Sequence, residues 1–130
     1  MYCVECVEEQ DMTDKQLLKD AAKAAGIKLV FDSYGLPRDC TGMEPAMNIF
    51  SAKVWNPIDD DGDALRLLVK LRISVWVDSS DACCSWVPEG QHPFSEGMEQ
   101  LAEEITNGDP YAATRRAIVK AAAEIGRSKT

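Results

Sequence analysis

At 130 residues, with 45% apolar and 28% charged side chains, the chain suits one domain with its own core, and wholesale disorder is excluded. Fourteen Lys and Arg against 22 Asp and Glu leave a net charge of −8, which argues against binding nucleic acid through its phosphates. No apolar run approaches the roughly 20 residues of a membrane span.

Residues 1–12 (MYCVECVEEQDM) read as an acidic extension without the basic start and apolar middle of a secretory leader, and Met12 is a candidate alternative start. A single domain over 13–130 and a cytoplasmic location are the expectations. The cysteines are Cys3, Cys6, Cys40, Cys83 and Cys84, an odd number that fits reduced thiols better than a disulfide framework. Cys3 and Cys6 have the spacing of half a zinc site. The other half would have to come from Cys40, Cys83, Cys84 or His92, and neighbours on a strand such as Cys83 and Cys84 point to opposite faces. A redox pair is equally ill-placed there, because the flanking glutamates raise a thiol pKa.

Thr13 with Gln16 three positions on is a capping signature. The apolar stripe of Leu17, Leu18, Ala21, Ala22, Ala24 and Ala25, stopped by Gly26, predicts a helix over 13–25. A strand is expected over 27–31, a loop over 32–45 with its glycines and prolines, and a second strand over 47–55. Asp60 or Asp61 is placed to cap the next helix, with Ala64, Leu65, Leu68, Val69 and Leu71 inward and Arg66 and Lys70 outward. Residues 73–77 alternate as a strand, and 82–87 return as its partner. A hairpin centred near Asp81 would set Trp76 opposite Trp86, with Ile73, Val75 and Val77 on the other face. Apolar weight on both faces favours helices on both sides of the sheet. Residues 88–93 read as loop, and 96–106 as a helix capped by Ser95. Asp109-Pro110 opens a helix to residue 126, with Thr114, Ile118, Ala121, Ala122 and Ile125 inward and Gly126 at a frayed end. The expected class is α/β (α+β): an α/β/α sandwich whose small, largely antiparallel sheet is covered by helices on both faces.

Chemistry-bearing patterns are sparse. The Asp59–Asp63 cluster does not fit an EF-hand: with Gly62 sixth, position one is Pro57 and position twelve is Leu68. The carboxylates read instead as favourable charge at a helix start. His92 has no nucleophile at a recognisable spacing, and no base lies near Cys83 or Cys84 to make a thiolate. Phosphate-loop glycine patterns are absent. Trp55, Trp76 and Trp86 suit core packing better than a stacking platform. No catalytic residue, metal or cofactor is expected.

Charge layout is the most informative feature. Residues 73–114 hold no Lys or Arg but carry Asp78, Asp81, Glu89, Glu96, Glu99, Glu103, Glu104 and Asp109, equal to the net charge of the whole chain. Such a stretch can steer a basic partner or stand in for a phosphate backbone, against the plainer reading of solubility. The expected partner-binding residues are Asp78, Asp81, Glu89, Glu96, Glu99, Glu103 and Glu104. In an alternative reading Asn56, Arg115 and Arg116 line a nucleotide or anion site.

Two strings, Trp55-Asn56-Pro57-Ile58-Asp59-Asp60-Asp61-Gly62-Asp63-Ala64-Leu65-Arg66-Leu67 and Asp109-Pro110-Tyr111-Ala112-Ala113-Thr114-Arg115-Arg116-Ala117-Ile118-Val119, resemble small bacteriophage and prophage proteins of the phage ABA-sandwich family. The run from Met12 to Leu18, with Ala21 to Gly26, resembles the start of such proteins. Together these cover under half of the chain. The resemblance implies a sheet between helices and brings no activity or site residues. It diverges from the residue pattern over 88–106, where the family carries strands and the pattern predicts a helix. Joined to the charge layout, it implies a phage-encoded, non-enzymatic acidic binding protein acting in the bacterial host. On this expectation it inhibits a defence system in the manner of an anti-CRISPR, by blocking a basic nucleic-acid-binding surface of a host protein, without touching nucleic acid or membrane itself. The alternatives are the small-ligand module and a phage accessory interaction protein.

Overall fold

The computed structural model describes residues 13–44, 46–78, 81–86, 99–105 and 108–128. The N-terminal extension, the 88–93 loop and His92 lie outside them. Three helices combine with two small antiparallel sheets, an α+β arrangement. Helix α1 (Asp14–Ala25) starts where Thr13 Oγ1 accepts the Gln16 amide, and ends at Gly26 in the left-handed region, φ 72°. All six residues of its predicted stripe are buried.

The first sheet joins β1 (Leu29–Phe31), β2 (Pro37–Asp39) and β3 (Lys53–Val54) in sequence order. Two expectations are corrected here. The 32–45 segment is not all loop, because Asp32 organises it into a hairpin. Its Oδ1 accepts the Tyr34 and Leu36 amides and its Oδ2 accepts Arg38 Nε at 2.9 Å. The 47–55 segment is a short 3-10 turn (Ile49–Ser51) plus the two residues of β3, since the Asn48 side chain takes the Phe50 amide and bends the chain. Arg38 also donates to Ala52 O, tying β2 to the turn before β3.

Burial pushes the Asp32 carboxyl up, but the hydrogen bonds from Arg38, Leu36 and Tyr34 and the Arg38 charge more than offset it, so its pKa falls below the ordinary 3.8. A depressed carboxyl contributes stability that is present above its unfolded pKa and lost as pH falls through the folded value. Stability of the wild type therefore declines below about pH 4 with a component that Asp32→Asn lacks, as urea midpoints between pH 6 and pH 2 will show. Parallel pH profiles for the two proteins would refute this.

Helix α2 (Asp61–Leu71) is capped by Asp60, whose side chain accepts the Asp63 amide. Its buried face is Asp63, Ala64 and Leu67. The expected inward Leu65 and Val69 are 60% and 63% exposed. The helix carries more apolar residues than its neighbours can cover, so the stripe alone did not specify which face turns inward. Arg72, left-handed at φ 57°, reverses the chain directly into β4.

The second sheet is β4 (Ile73–Val77), β5 (Asp81–Trp86) and β6 (Glu99–Ile105), again in sequence order. The helix expected over 96–106 is corrected to strand β6 within the described residues. The cross-strand partners of β5 outweigh helical spacing there. The hairpin register is also corrected. Asp78 and Asp81 close the turn through Asp78 N to Asp81 O and Asp81 N to Asp78 Oδ1. Trp76 therefore pairs with Cys83, and Trp86 with Ile73. An odd slip in register moves a residue to the other face, so the two tryptophan positions fall on opposite faces.

Helix α3 (Pro110–Ser128) is the centre of the molecule. Asp109 Oδ1 caps it by accepting the Tyr111 and Ala112 amides. It packs on the β4–β6 sheet and on both other helices. Ala117, Val119, Ala121, Ala122 and Ala123 are all fully buried, a girdle wider than the single predicted stripe. Thr114 is only half-buried, and the helix runs two residues past Gly126. Gly126 is not a stop: it lies buried where α3 crosses α1 at Asp20 and Ala24. Arg116 to Asp14 and Arg127 to Asp20 join the two helices along their length.

Candidate functional site

Because one residue separates α2 from β4, the start of α2 lies beside the end of β4. Arg115 fixes the start of α3 at the same place, with Nε donating to Ile58 O at 2.8 Å and a terminal nitrogen to Asp61 Oδ1 at 2.6 Å. The three elements bound a groove of about 500 Å³, lined mainly by Leu65, Leu68, Val75, Val77, Tyr111 and Ile118. Tyr111 is 70% exposed, Leu65 60% and Val77 45%. These side chains form a contiguous apolar surface, whereas singly scattered ones would need no explanation.

Asp61 is the carboxylate in the groove's lining, and three more aspartates adjoin it or other lining residues in sequence. Asp60 precedes Asp61, Asp78 follows Val77, and Asp109 precedes Pro110, which also lines the groove. All four are exposed. Asp60 and Asp109 cap helices and Asp61 meets Arg115, yet the aspartates outnumber the cations beside them. An apolar floor with an acidic rim is complementary to an apolar segment flanked by Lys or Arg.

Of the acidic residues expected to bind a partner, Asp78, Asp81 and Glu104 have described side chains. Asp78 and Asp81 build the hairpin turn beside the groove. Glu89 and Glu96 lie outside the described residues. Glu99 and Glu103 are placed only by register, opposite Trp86 and Cys83. Glu104 pairs with Ala82 on the helix-facing side, where Lys120 and Arg116 of α3 answer it. Cations of α3 thus answer Glu104, whereas Asp78 and Asp81 lie at the hairpin turn.

Asn56, Arg115 and Arg116 do not converge. Asn56 organises the turn before α2: its amide donates to Asp63 Oδ2, its Nδ2 donates to Asp59, and its Oδ1 accepts the Ile58 amide. Arg115 holds that same turn, whereas Arg116 reaches away to Asp14 and Glu104. Both guanidinium groups join elements of the fold. Asp59, Asp60, Asp61 and Asp63 are likewise engaged one by one, respectively by Asn56 Nδ2, the Asp63 amide, Arg115, and the Asn56 amide with Arg66. Among the described residues no three His, Cys, Asp or Glu side chains gather as a metal site. Cys40, Cys83 and Cys84 are present as thiols. Burial, with Cys83 beside it, pushes the Cys84 thiol up to about 12, far from a nucleophile's range. Trp55 is buried in the core as expected, but Trp76 is 71% exposed on the sheet face away from α3. No described helix is long and apolar enough to cross a membrane.

Sequence reasoning missed Leu65, Val77 and Tyr111. The available signal was an excess of apolar residues on α2 beyond what one buried stripe needs. No family model, curated protein or solved structure matches the chain.

Proposed function

We propose that this chain is a non-enzymatic binding protein that docks a basic, amphipathic surface of a partner protein in the groove between α2, β4 and the start of α3. The observation that carries this reading is the coincidence of exposed Leu65, Val77 and Tyr111 with aspartates next to each groove wall. The long-range field brings the basic partner in, and the apolar anchors supply the hold. On the resemblance to phage ABA-sandwich proteins, the partner is a bacterial host protein whose basic surface binds nucleic acid, and occupying that surface is the mode of inhibition. The α/β/α sandwich belongs to the same reading. It is supported by α3 on one face of the β4–β6 sheet and by exposed Trp76 on the other, where a second layer would sit.

The test is affinity purification from bacterial lysate with wild type, Leu65→Ser/Tyr111→Ser and Asp61→Asn/Asp78→Asn, the amides keeping an acceptor oxygen at both rim positions. Losing two central anchors should weaken the complex about a hundredfold, roughly tenfold each. The charge pair should lower recovery mainly at low salt. All four side chains are exposed and the asparagines keep an acceptor for Asp81 N and for Arg115, so folding should change by only about 0.5 kcal/mol per position. Equal recovery by all three proteins would sink the proposal.

A further inference from the structure

On the opposite side of α2 from the groove lies a second cavity of about 350 Å³, between the end of α1, β3 and α2. We infer that it is a binding site for a small organic anion with an apolar ring body. Its floor is Trp55, Leu67 and Ala25, each less than 8% exposed. Its rim carries Lys53, Arg66 and Lys70. The volume is at the small end of the usual range for ligand pockets, which suits one or two rings.

The charge state of the rim selects the ligand. Asp39 and Asp63 also line the cavity; Arg66 answers Asp63, which leaves Lys53 and Lys70 against Asp39 and a net positive charge at the rim. Asp39 Oδ1 accepts the Thr41 amide, and Asp63 is buried, accepting from the Asn56 amide and from Arg66. Lys53 and Lys70 make no side-chain hydrogen bond or ion pair with any described residue. Arg66, the third cation of the rim, is held by Asp63 at 2.8 Å. Two ammonium groups without a carboxylate partner therefore border a largely apolar floor of Trp55, Leu67 and Ala25. At the end of α1, Gly26 N and Ile27 N cap the Lys23 and Ala22 carbonyls. A carboxylate or phosphate would reach both lysines while its rings cover Trp55 and Leu67. An inorganic ion would leave that floor bare, and a cation would meet the ammonium groups. The site shares no residue with the hydrophobic wall of the groove, so its fate is independent of the partner-binding reading.

The test is an amide NMR titration of the full chain with 2-naphthoate, with its uncharged analogue 2-naphthol, and with inorganic phosphate. Naphthoate should shift the Gly26, Ile27 and Leu67 amides and bind at least about tenfold more tightly than either other probe. Lys53→Glu and Lys70→Glu, both at exposed positions, should each weaken naphthoate about tenfold and leave naphthol unchanged. Naphthol or phosphate binding as tightly as naphthoate would overturn the inference. So would shifts confined to other residues, lysine reversals without effect, or no binding by any probe.

Discussion

Gly126→Ala should destabilise the protein by about 2 kcal/mol or more, the opposite of what helix propensity demands. Within a helix, replacing Gly by Ala ordinarily gains about 1 kcal/mol. At Gly126 a Cβ would stand 2.0 Å from the backbone oxygen of Asp20 and 3.2 Å from the Ala24 nitrogen. Backbone atoms cannot rotate out of the way, so α1 and α3 would have to separate, and the buried alanines on both helices would lose contact together. Gly62→Ala is the control. Its Cβ would meet only side-chain atoms, the exposed Arg66 guanidinium at 3.1 Å, which can move, and the capping Asp60 Oδ2 at 3.2 Å, which need yield only a few tenths of an ångström. Urea unfolding of the two variants should therefore diverge in sign or by a wide margin. A stabilised Gly126→Ala would mean that the helices do not cross at this residue.

Asp63→Ala should cost about 2 kcal/mol, whereas Asp63→Asn should lose less than half of that. The Asp63 side chain is only 5% exposed. One oxygen accepts the Asn56 amide at 3.0 Å and the other accepts Arg66 at 2.8 Å. Truncation leaves a half-buried backbone N–H without its partner, which is where the cost arises. Asparagine keeps an acceptor for that amide. The lost charge matters little, because Arg66 is 62% exposed and stays solvated. Denaturant midpoints for both variants decide this, and equal losses would place the energy in the ion pair and not in the turn. The consequence reaches the groove, since the 56–61 turn is what Arg115 grips.

Local chemistry made several elements legible. The Thr13 and Asp109 caps, the Gly26 stop and the buried stripe of α1 are decided by residues within one or two turns of each other. Segments whose structure depends on a distant strand were not legible. Residues 99–105 have helical spacing of their apolar positions, yet the open edge of β5 pairs with them. In the 32–45 segment, the buried Asp32–Arg38 pair makes a hairpin from residues whose composition reads as loop. The site was the least visible part. Within the acidic run between Ile73 and Thr114, strand pairing sends Glu104 to α3 while Asp78 stays at the turn.

The chain by itself determined the content of the core helices, their caps and the large negative charge, because these depend on residue type and short-range spacing. Only the tertiary structure decided which face of α2 is buried, how the β4–β5 hairpin registers, and whether Arg115 and Arg116 act together. Each of these turns on a contact between residues far apart in sequence, and a slip of one residue or a rotation of one helix face reverses it without changing any local preference. The groove and the lysine-rimmed cavity therefore arise on two sides of the same short helix.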